Sequence, residues 1–446
     1  MKKTLKKVMA LCLASGLAAG SFTSVYAADK KTPITMWFWG AATDYQETMK
    51  DVLAGWYNQS QDKYELQIEF RNTVDKDIPV ALAAGNAPDI IYMSGPSYGS
   101  VYQEENLLLN LDDYSKEYGW QDRVLGVMYD ACTLDGSLYS IPGGMCIGGL
   151  YYNKELFEEK GWNVPETWDD MLDLFEKADA DGIYPLGAGN KGWKPSNDHF
   201  SSMVVNHYAG SDLFYDALMG NENFNNERMV EAINVSKEWY EKGYFSGQDY
   251  VNLDSQEYMQ MLADKRCAMI MAPSLYTQFA AQSFLGDDAE KVGFAPMPSK
   301  WTDEDVYDVS LNCNFAINAS TEYADECAKI LDYMLSSEYA VKMTEGWPGY
   351  WTTPVKDVVD FDSSSMTGLA KMSIDAFQKA IPQIDAGYFA LHPATFFPSA
   401  TDTAFQDVDT VWQGIMDAET FCETVGMELN ADIEAGRVCP LAKPEK

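Results

Sequence analysis

Trp39 and Trp193 stand where apolar runs give way to glycine: Trp39 closes residues 33–39 directly before Gly40, and Trp193 follows Gly187, Gly189 and Gly192. An indole at such a junction offers a flat apolar face at a strand end, where an open α/β sheet meets a crevice. Acids and hydroxyls lie near comparable junctions, Asp44 just past the first run and Asp89, Tyr92 and Ser94 around the run 90–93. Rings that cover C–H groups, joined to acceptors that converge on hydroxyls, are equipment for holding a carbohydrate without changing it. Each residue has a competing structural reading: Asp44 and Asp89 can cap helices or turns, and Trp39 can pack in a core, as is expected of Trp37. Met145, Cys146, His199, His392 and Phe397 are weaker candidates.

Covalent chemistry has thinner support. Gly95-Pro96-Ser97-Tyr98-Gly99 matches the G-x-S-x-G elbow of ester hydrolases, with His199 or His392 as the available base. That elbow needs a helix directly after the serine, and the next clear apolar run is only at residues 107–109. Gly187-Ala188-Gly189-Asn190-Lys191-Gly192 matches a dinucleotide fingerprint, but Trp193-Lys194-Pro195 prevents the immediate helix that a pyrophosphate requires. Asp179-Ala180-Asp181-Gly182 lacks the other ligands of a calcium loop, and paired carboxylates of a glycosidase cannot be singled out among 68 acids. No catalytic residue, metal ligand or cofactor is therefore expected.

The start of the chain reads as a secretory leader, with Lys2, Lys3, Lys6 and Lys7, an apolar run over residues 8–20 and the exit Val25-Tyr26-Ala27. Cleavage after Ala27 is expected. The run is too short for the roughly 20 residues that cross a bilayer, so export to the periplasm or the outer cell surface is the expectation. Ser21 follows Ala18-Ala19-Gly20 where a lipid-bearing cysteine would stand, so no lipid anchor is expected. At 446 residues the chain exceeds the roughly 50–250 residues of a single domain, which predicts two lobes. Its net charge of −36 disfavours nucleic acid and anionic membranes, and the leader's lysines leave the exported part more acidic still. Past the leader come Cys132, Cys146, Cys267, Cys313, Cys327, Cys422 and Cys439, an odd set read as buried thiols with at most one disulfide and no zinc spacing.

Strand and helix patterns alternate, which predicts an α/β class with mainly parallel sheets. Strands are predicted at residues 33–39, 64–70, 90–93, 150–152, 183–186, 267–271, 292–295 and 314–317. A helix from Thr43 with Gln46 in a capping box, helices begun by Asn153 and by Thr167 with Asp170, and one ended by Gly85 are predicted from their caps. Helical stripes follow at residues 229–242, 323–335 and 405–416. Glycine and proline junctions at residues 141–144, 272–273 and 346–349 are read as crossings between the lobes.

Four further pieces occur in a familiar order: Gly85-Asn86-Ala87-Pro88-Asp89-Ile90, Tyr139-Ser140-Ile141-Pro142, Leu150 to Phe157, and Pro165-Glu166-Thr167-Trp168. With Val292 to Pro298 and the helix 324–335, they resemble the family 1 extracellular solute-binding proteins of bacterial carbohydrate ABC transporters, relatives of maltose-binding protein. The resemblance implies a two-lobed, type II periplasmic-binding-protein-like fold, each lobe a mainly parallel sheet flanked by helices, with three crossings and a ligand cleft between them. The first lobe is then residues 28–143 plus 272–348 and the second residues 144–271 plus 349–446. It also implies a monomer that is no enzyme and that delivers sugar to a membrane permease. It puts the loop of Tyr350 and Trp351 at the cleft. A secreted carbohydrate-active or ester-cleaving hydrolase, or a receptor for another solute, are the alternatives.

Overall fold

The computed structural model describes residues 31–349 and 352–445. The alternation in β1 (Thr32–Trp39) sends Ile34, Met36 and Phe38 fully into the core and leaves Trp37 and Trp39 half-buried. Beside it lie the edge strand β2 (Tyr64–Arg71) and β3 (Ile90–Met93), buried along its whole length as an inner strand must be. A small hairpin of β4 (Thr133–Leu134) and β5 (Ser137–Leu138) precedes β6 (Ile141–Asn153). The remaining strands are β7 (Tyr184–Leu186), β8 (Cys267–Pro273), β9 (Val292–Ala295), β10 (Tyr307–Ile317) and β11 (Phe389–Leu391). Among the described residues they form one sheet in the order β2-β1-β3-β10-β6-β8-β7, with β11 on β10 and β9 on β6.

The sheet is mixed rather than mainly parallel. β1 runs parallel to β2 and β3, β7 to β8 and β11 to β10. β10 runs against both β3 and β6, and β6 against β8 and β9. The cause is that β6 carries the chain outward and β10 brings it back alongside, so the two must point opposite ways. β6 pairs with β10 over residues 141–147 and with β8 and β9 over residues 148–153. A third passage follows the helix Ser337–Gly346, where the Met145 amide donates to the Thr352 carbonyl at 2.9 Å. Ala272-Pro273 is not a crossing: β8 stays paired through Pro273 with Gly148, and the chain returns to β6 as β9.

Helix starts follow the caps in most places. Asn153 accepts from the amides of Glu155 and Leu156, and Thr167 with Asp170 forms a capping box. The box expected at Thr43 is absent because the helix already begins at Thr43; Gln46 instead donates its side chain to the Ala41 carbonyl at 2.8 Å. The helix expected over residues 405–416 breaks after Phe405, where Asn197 takes the Gln406 carbonyl at 2.6 Å, and only a short turn Asp409–Trp412 follows. All seven described cysteines are free, and burial pushes Cys132, Cys146, Cys422 and Cys439 up to about 12, so they are inert thiols.

Residues 437–445 run back over the molecule. The Tyr215 hydroxyl donates to the Leu441 carbonyl at 2.9 Å, and Lys443 pairs with Asp216 at 2.7 Å. Cys439 Sγ lies 3.8 Å from the carbonyls of Asp130 and Thr133, on the side of the first strands.

Gly149 sets how closely β6 and β9 approach, since a β-carbon there would lie 2.5 Å from the Ala295 carbonyl oxygen and 2.5 Å from the Phe294 ring. Gly149→Ala is expected to lower stability by about 1–3 kcal/mol through overpacking, read as a lower urea midpoint. Gly126→Ala, with open space around it, is expected to stay within about 1 kcal/mol of the parent.

Candidate functional site

Four carboxyl ends of parallel strands carry the candidate groups, as expected for a crevice beyond an open sheet. Trp39 is the last residue of β1, and its ring lies 5.7 Å from that of Trp347. Trp347 is fully buried and stacks on Tyr45 at 4.6 Å with planes 7° apart. Asp44, exposed in the first turn of the helix Thr43–Met49, adjoins Tyr45, whose phenol is pushed up by burial and then by the Asp44 charge. Ser94 follows β3, with its Oγ 2.5 Å from Asp75 and 3.0 Å from the Tyr92 hydroxyl. The Tyr92 ring itself is core, edge-on to Phe38 at 5.1 Å, so only its hydroxyl belongs with Ser94.

Asp89 is placed elsewhere. It precedes β3, at the opposite end from Ser94, and its carboxylate accepts from the Thr35 amide at 2.8 Å and from the hydroxyls of Thr35 and Thr321 at 2.7 and 2.6 Å. It ties β1, β3 and the turn after β10 together, which is a structural task. Trp37 is likewise structural, with the Arg71 guanidinium 3.5 Å over its ring. Tyr350 and Trp351 lie outside the described residues, as does the leader.

On the other side, Trp193 follows β7 and is 52% exposed, enough to meet a ligand without holding up a core. A polar net sets the preceding loop: Asn190 accepts from the amides of Ser196 and Asn197 at 3.2 Å, and Lys194 pairs with Asp407 and Asp409 at 3.1 and 3.3 Å. The glycines of the dinucleotide-like motif are explained by packing. A β-carbon at Gly189 would lie 2.1 Å from the Leu253 carbonyl oxygen, one at Gly187 2.8 Å from Cys267 Sγ, and Gly192 has φ +93°. The helix starts only at Pro195, and its first amides are taken by Asn190 Oδ1 and the Gly189 carbonyl rather than left open to a phosphate.

His199 lies edge-on to Trp193 at 5.2 Å and to Tyr276 at 5.1 Å, just past β8. The two sides meet through residues 347–349: a β-carbon at Gly349 would lie 2.2 Å from the Ser274 carbonyl oxygen, and Ser274 Oγ accepts from the Ile147 amide of β6 at 3.2 Å. An aromatic course thus has two halves, Trp39 with Trp347 and Tyr45, and Trp193 with His199 and Tyr276, linked by the backbone approach of Gly349 to Ser274. Met145 and Cys146 lie buried beneath it in β6, and Phe397 is buried among Phe214, Phe224 and Phe405 in the core. Tyr45, Trp347 and Tyr276 were missed in the sequence; an aromatic in the first turn after a strand was the available signal for Tyr45 and Tyr276, while Trp347 follows a helix.

A buried polar network backs this course and holds all three histidines of the chain. Asp308 of β10 accepts from Asn206 at 2.6 Å and lies 2.5 Å from His207 Nε2. Asp198 Oδ1 lies 3.1 Å from His392 Nε2 and 3.2 Å from His199 Nδ1. Burial would raise Asp198, but the two imidazoles outweigh it and hold the carboxyl well below its usual range. Burial lowers His199, while for His392 burial is overcome by Asp198 and the pKa rises. Asp402 is pushed up to about 6 by burial and the Asp198 charge. As for the hydrolase motif, a helix does begin at Ser97, contrary to expectation, but that helix packs on β4. Its proposed bases His199 and His392 are taken up with Asp198 in the network.

The family model for bacterial extracellular solute-binding proteins matches residues 56–372. The chain belongs to this family. Among similar members, the multiple sugar-binding protein of Streptococcus mutans is 21% identical over 380 residues, covering 81% of this chain and 84% of the relative. A diacetylchitobiose binding protein of Streptomyces coelicolor is 30% identical over 152 residues, 32% of this chain and 31% of that one. Among solved structures, a chitin oligosaccharide binding protein superposes with a TM-score of 0.70 at 18% identity, covering 90% of this chain and 100% of the other. The solute-binding protein described here therefore has the two-lobed type II fold. Among its described residues no helix is long and apolar enough to cross a membrane.

Asp308 anchors this solute-binding protein's network where β10 crosses, with its side chain against Gly148 of β6. Asp308→Ala leaves Asn206 and His207 as buried groups without their acceptor, so a loss of about 3–5 kcal/mol is expected in denaturant melts. Asp308→Asn keeps one acceptor and is expected to lose less.

Proposed function

We propose that this chain is the extracytoplasmic receptor of an ABC importer, capturing a carbohydrate of oligosaccharide size between its lobes and presenting it to the membrane permease. The observation that carries the reading is the pair of indoles Trp39, half-buried at the end of β1, and Trp193, exposed after β7, each backed by a buried ring. Their open faces suit the C–H faces of sugar units, and Ser94, the Tyr92 hydroxyl and Asp44 take hydroxyls at one end. Tyr350 and Trp351 belong to the same proposed lining. The names of the relatives, which bind multiple sugars and diacetylchitobiose, favour this ligand class.

The mechanism follows from ligand contact with both lobes. A solute touching one lobe alone has equal affinity for open and closed forms and shifts nothing, whereas one bridging Trp39 and Trp193 favours closure. The closed surface is what a permease distinguishes from the empty receptor. The protein acts as an exported monomer after loss of residues 1–27, changes no bond of its ligand, and is kept off nucleic acid by a net charge more negative than the −36 of the full sequence, since the leader takes four lysines with it. Micromolar capture corresponds to about −8 kcal/mol, within reach of a few stacked rings and satisfied hydroxyls.

The test is calorimetry of untagged protein against a panel of oligosaccharides, followed by chromatography of the recovered sugar. One sugar class is expected to bind at one per chain and return intact. Trp193→Ala is expected to weaken it by tenfold or more, about 1.4 kcal/mol, with an unchanged melting temperature. Failure of every sugar to bind, or release of cleavage products, sinks the reading.

A further inference from the structure

We propose that Asp198, His199 and His392 form a binding site for a single divalent transition-metal ion of the zinc type, set in the second lobe behind Trp193. Asp198 and His199 come from the first turn of the helix Pro195–Val204, and His392 follows β11. One ligand atom from each lies within 4.8 Å of the others. Tetrahedral zinc with bonds of about 2.0–2.1 Å spaces neighbouring donors about 3.3 Å apart. Asp198 Oδ1 is already 3.2 Å from His199 Nδ1 and 3.1 Å from His392 Nε2.

The second, independent observation is His199. Its side chain is only 5% exposed, its Nε2 has no hydrogen-bond partner among the described residues, and its Nδ1 lies 3.2 Å from Asp198 Oδ1 without the geometry of a hydrogen bond. Buried polar groups in folded proteins are nearly always satisfied. An Asp198–His392 hydrogen bond accounts for His392 without any ion, but it leaves His199 Nδ1 beside a carboxylate it does not bond well. A metal at the centre of the three takes that nitrogen, His392 Nε2 and the carboxylate together. A carboxylate between two imidazoles in one desolvated site attracts a cation. Two nitrogens and an oxygen suit zinc and its neighbours, whereas calcium and magnesium take oxygen ligands.

The ion fixes the imidazole that supports Trp193 and Tyr276. Under the receptor reading proposed above, metal and sugar affinities are therefore linked, each raising the other by the same factor. Metal binding itself does not depend on that reading.

The test uses untagged protein, because the chain's own histidines number only three. Chelator-stripped protein is titrated with zinc by calorimetry and with cobalt(II) by visible absorption. One equivalent at micromolar or tighter affinity is expected, with the absorption of tetrahedral cobalt and no thiolate charge-transfer band. His199→Gln and His392→Gln are each expected to weaken binding at least 100-fold, and Met427→Ala, at an exposed position on the helix Ala418–Glu434, is expected to leave it unchanged. Asp198→Asn serves if either histidine variant does not fold. No saturable binding below millimolar zinc, a thiolate band, or undiminished affinity in the folded variants overturns the site. A sugar that binds without any response to zinc removes the linkage and leaves the receptor intact.

Discussion

Everything in this molecule hangs on β6 having to serve two groups of strands at once. Thirteen residues, almost all buried, form ladders first with β10 and then with β8 and β9. A strand approached so closely has little room for side chains. A β-carbon at Gly143 would meet the Phe315 ring at 2.2 Å, one at Gly148 the Asp308 side chain at 2.8 Å, and one at Gly149 the Ala295 carbonyl at 2.5 Å. The glycines are the means by which the halves approach one another, and the hydrogen bonds from Met145 to Thr352 and from Ile147 to Ser274 then fix the return loops against the same strand.

From that frame follows the division of labour between the two sides. The first side supplies Trp39, propped on Trp347 and Tyr45, an apolar wall with hydroxyls at its margin. The second supplies an exposed indole resting on a histidine whose surroundings are polar and buried. Apolar rings back Trp39, whereas Trp193 rests on a histidine paired with a buried carboxylate.

Much of the architecture was legible in the residues. Period-two alternation marks β1, an unbroken apolar run marks β3, and Asn153 and Thr167 announce their helices because short polar side chains reach the free amides. The positions of Trp39 at the end of β1 and of Trp193 in the loop after β7 were legible from the glycines beside them. β6 was not, because Gly143-Gly144 and Gly148-Gly149 read as junctions, while only the approach of Phe315, Asp308 and Phe294 shows why a strand contains them. Asp89 misled for a related reason: its motif identifies the family, but the partners that occupy it, Thr35 and Thr321, are 54 and 232 residues away. The Asp198 and His392 pair, 194 residues apart, has no local signal at all.

The path of residues 437–445 carries a mechanical consequence. Moored by Leu441 and Lys443 to Tyr215 and Asp216 and by Cys439 to Asp130 and Thr133, the end of the chain adds a fourth tie to the three passages. A body fastened at its seam and again at one rim swings like a door hung on two edges. Either the pivot runs through this mooring, or residues 437–445 let go first.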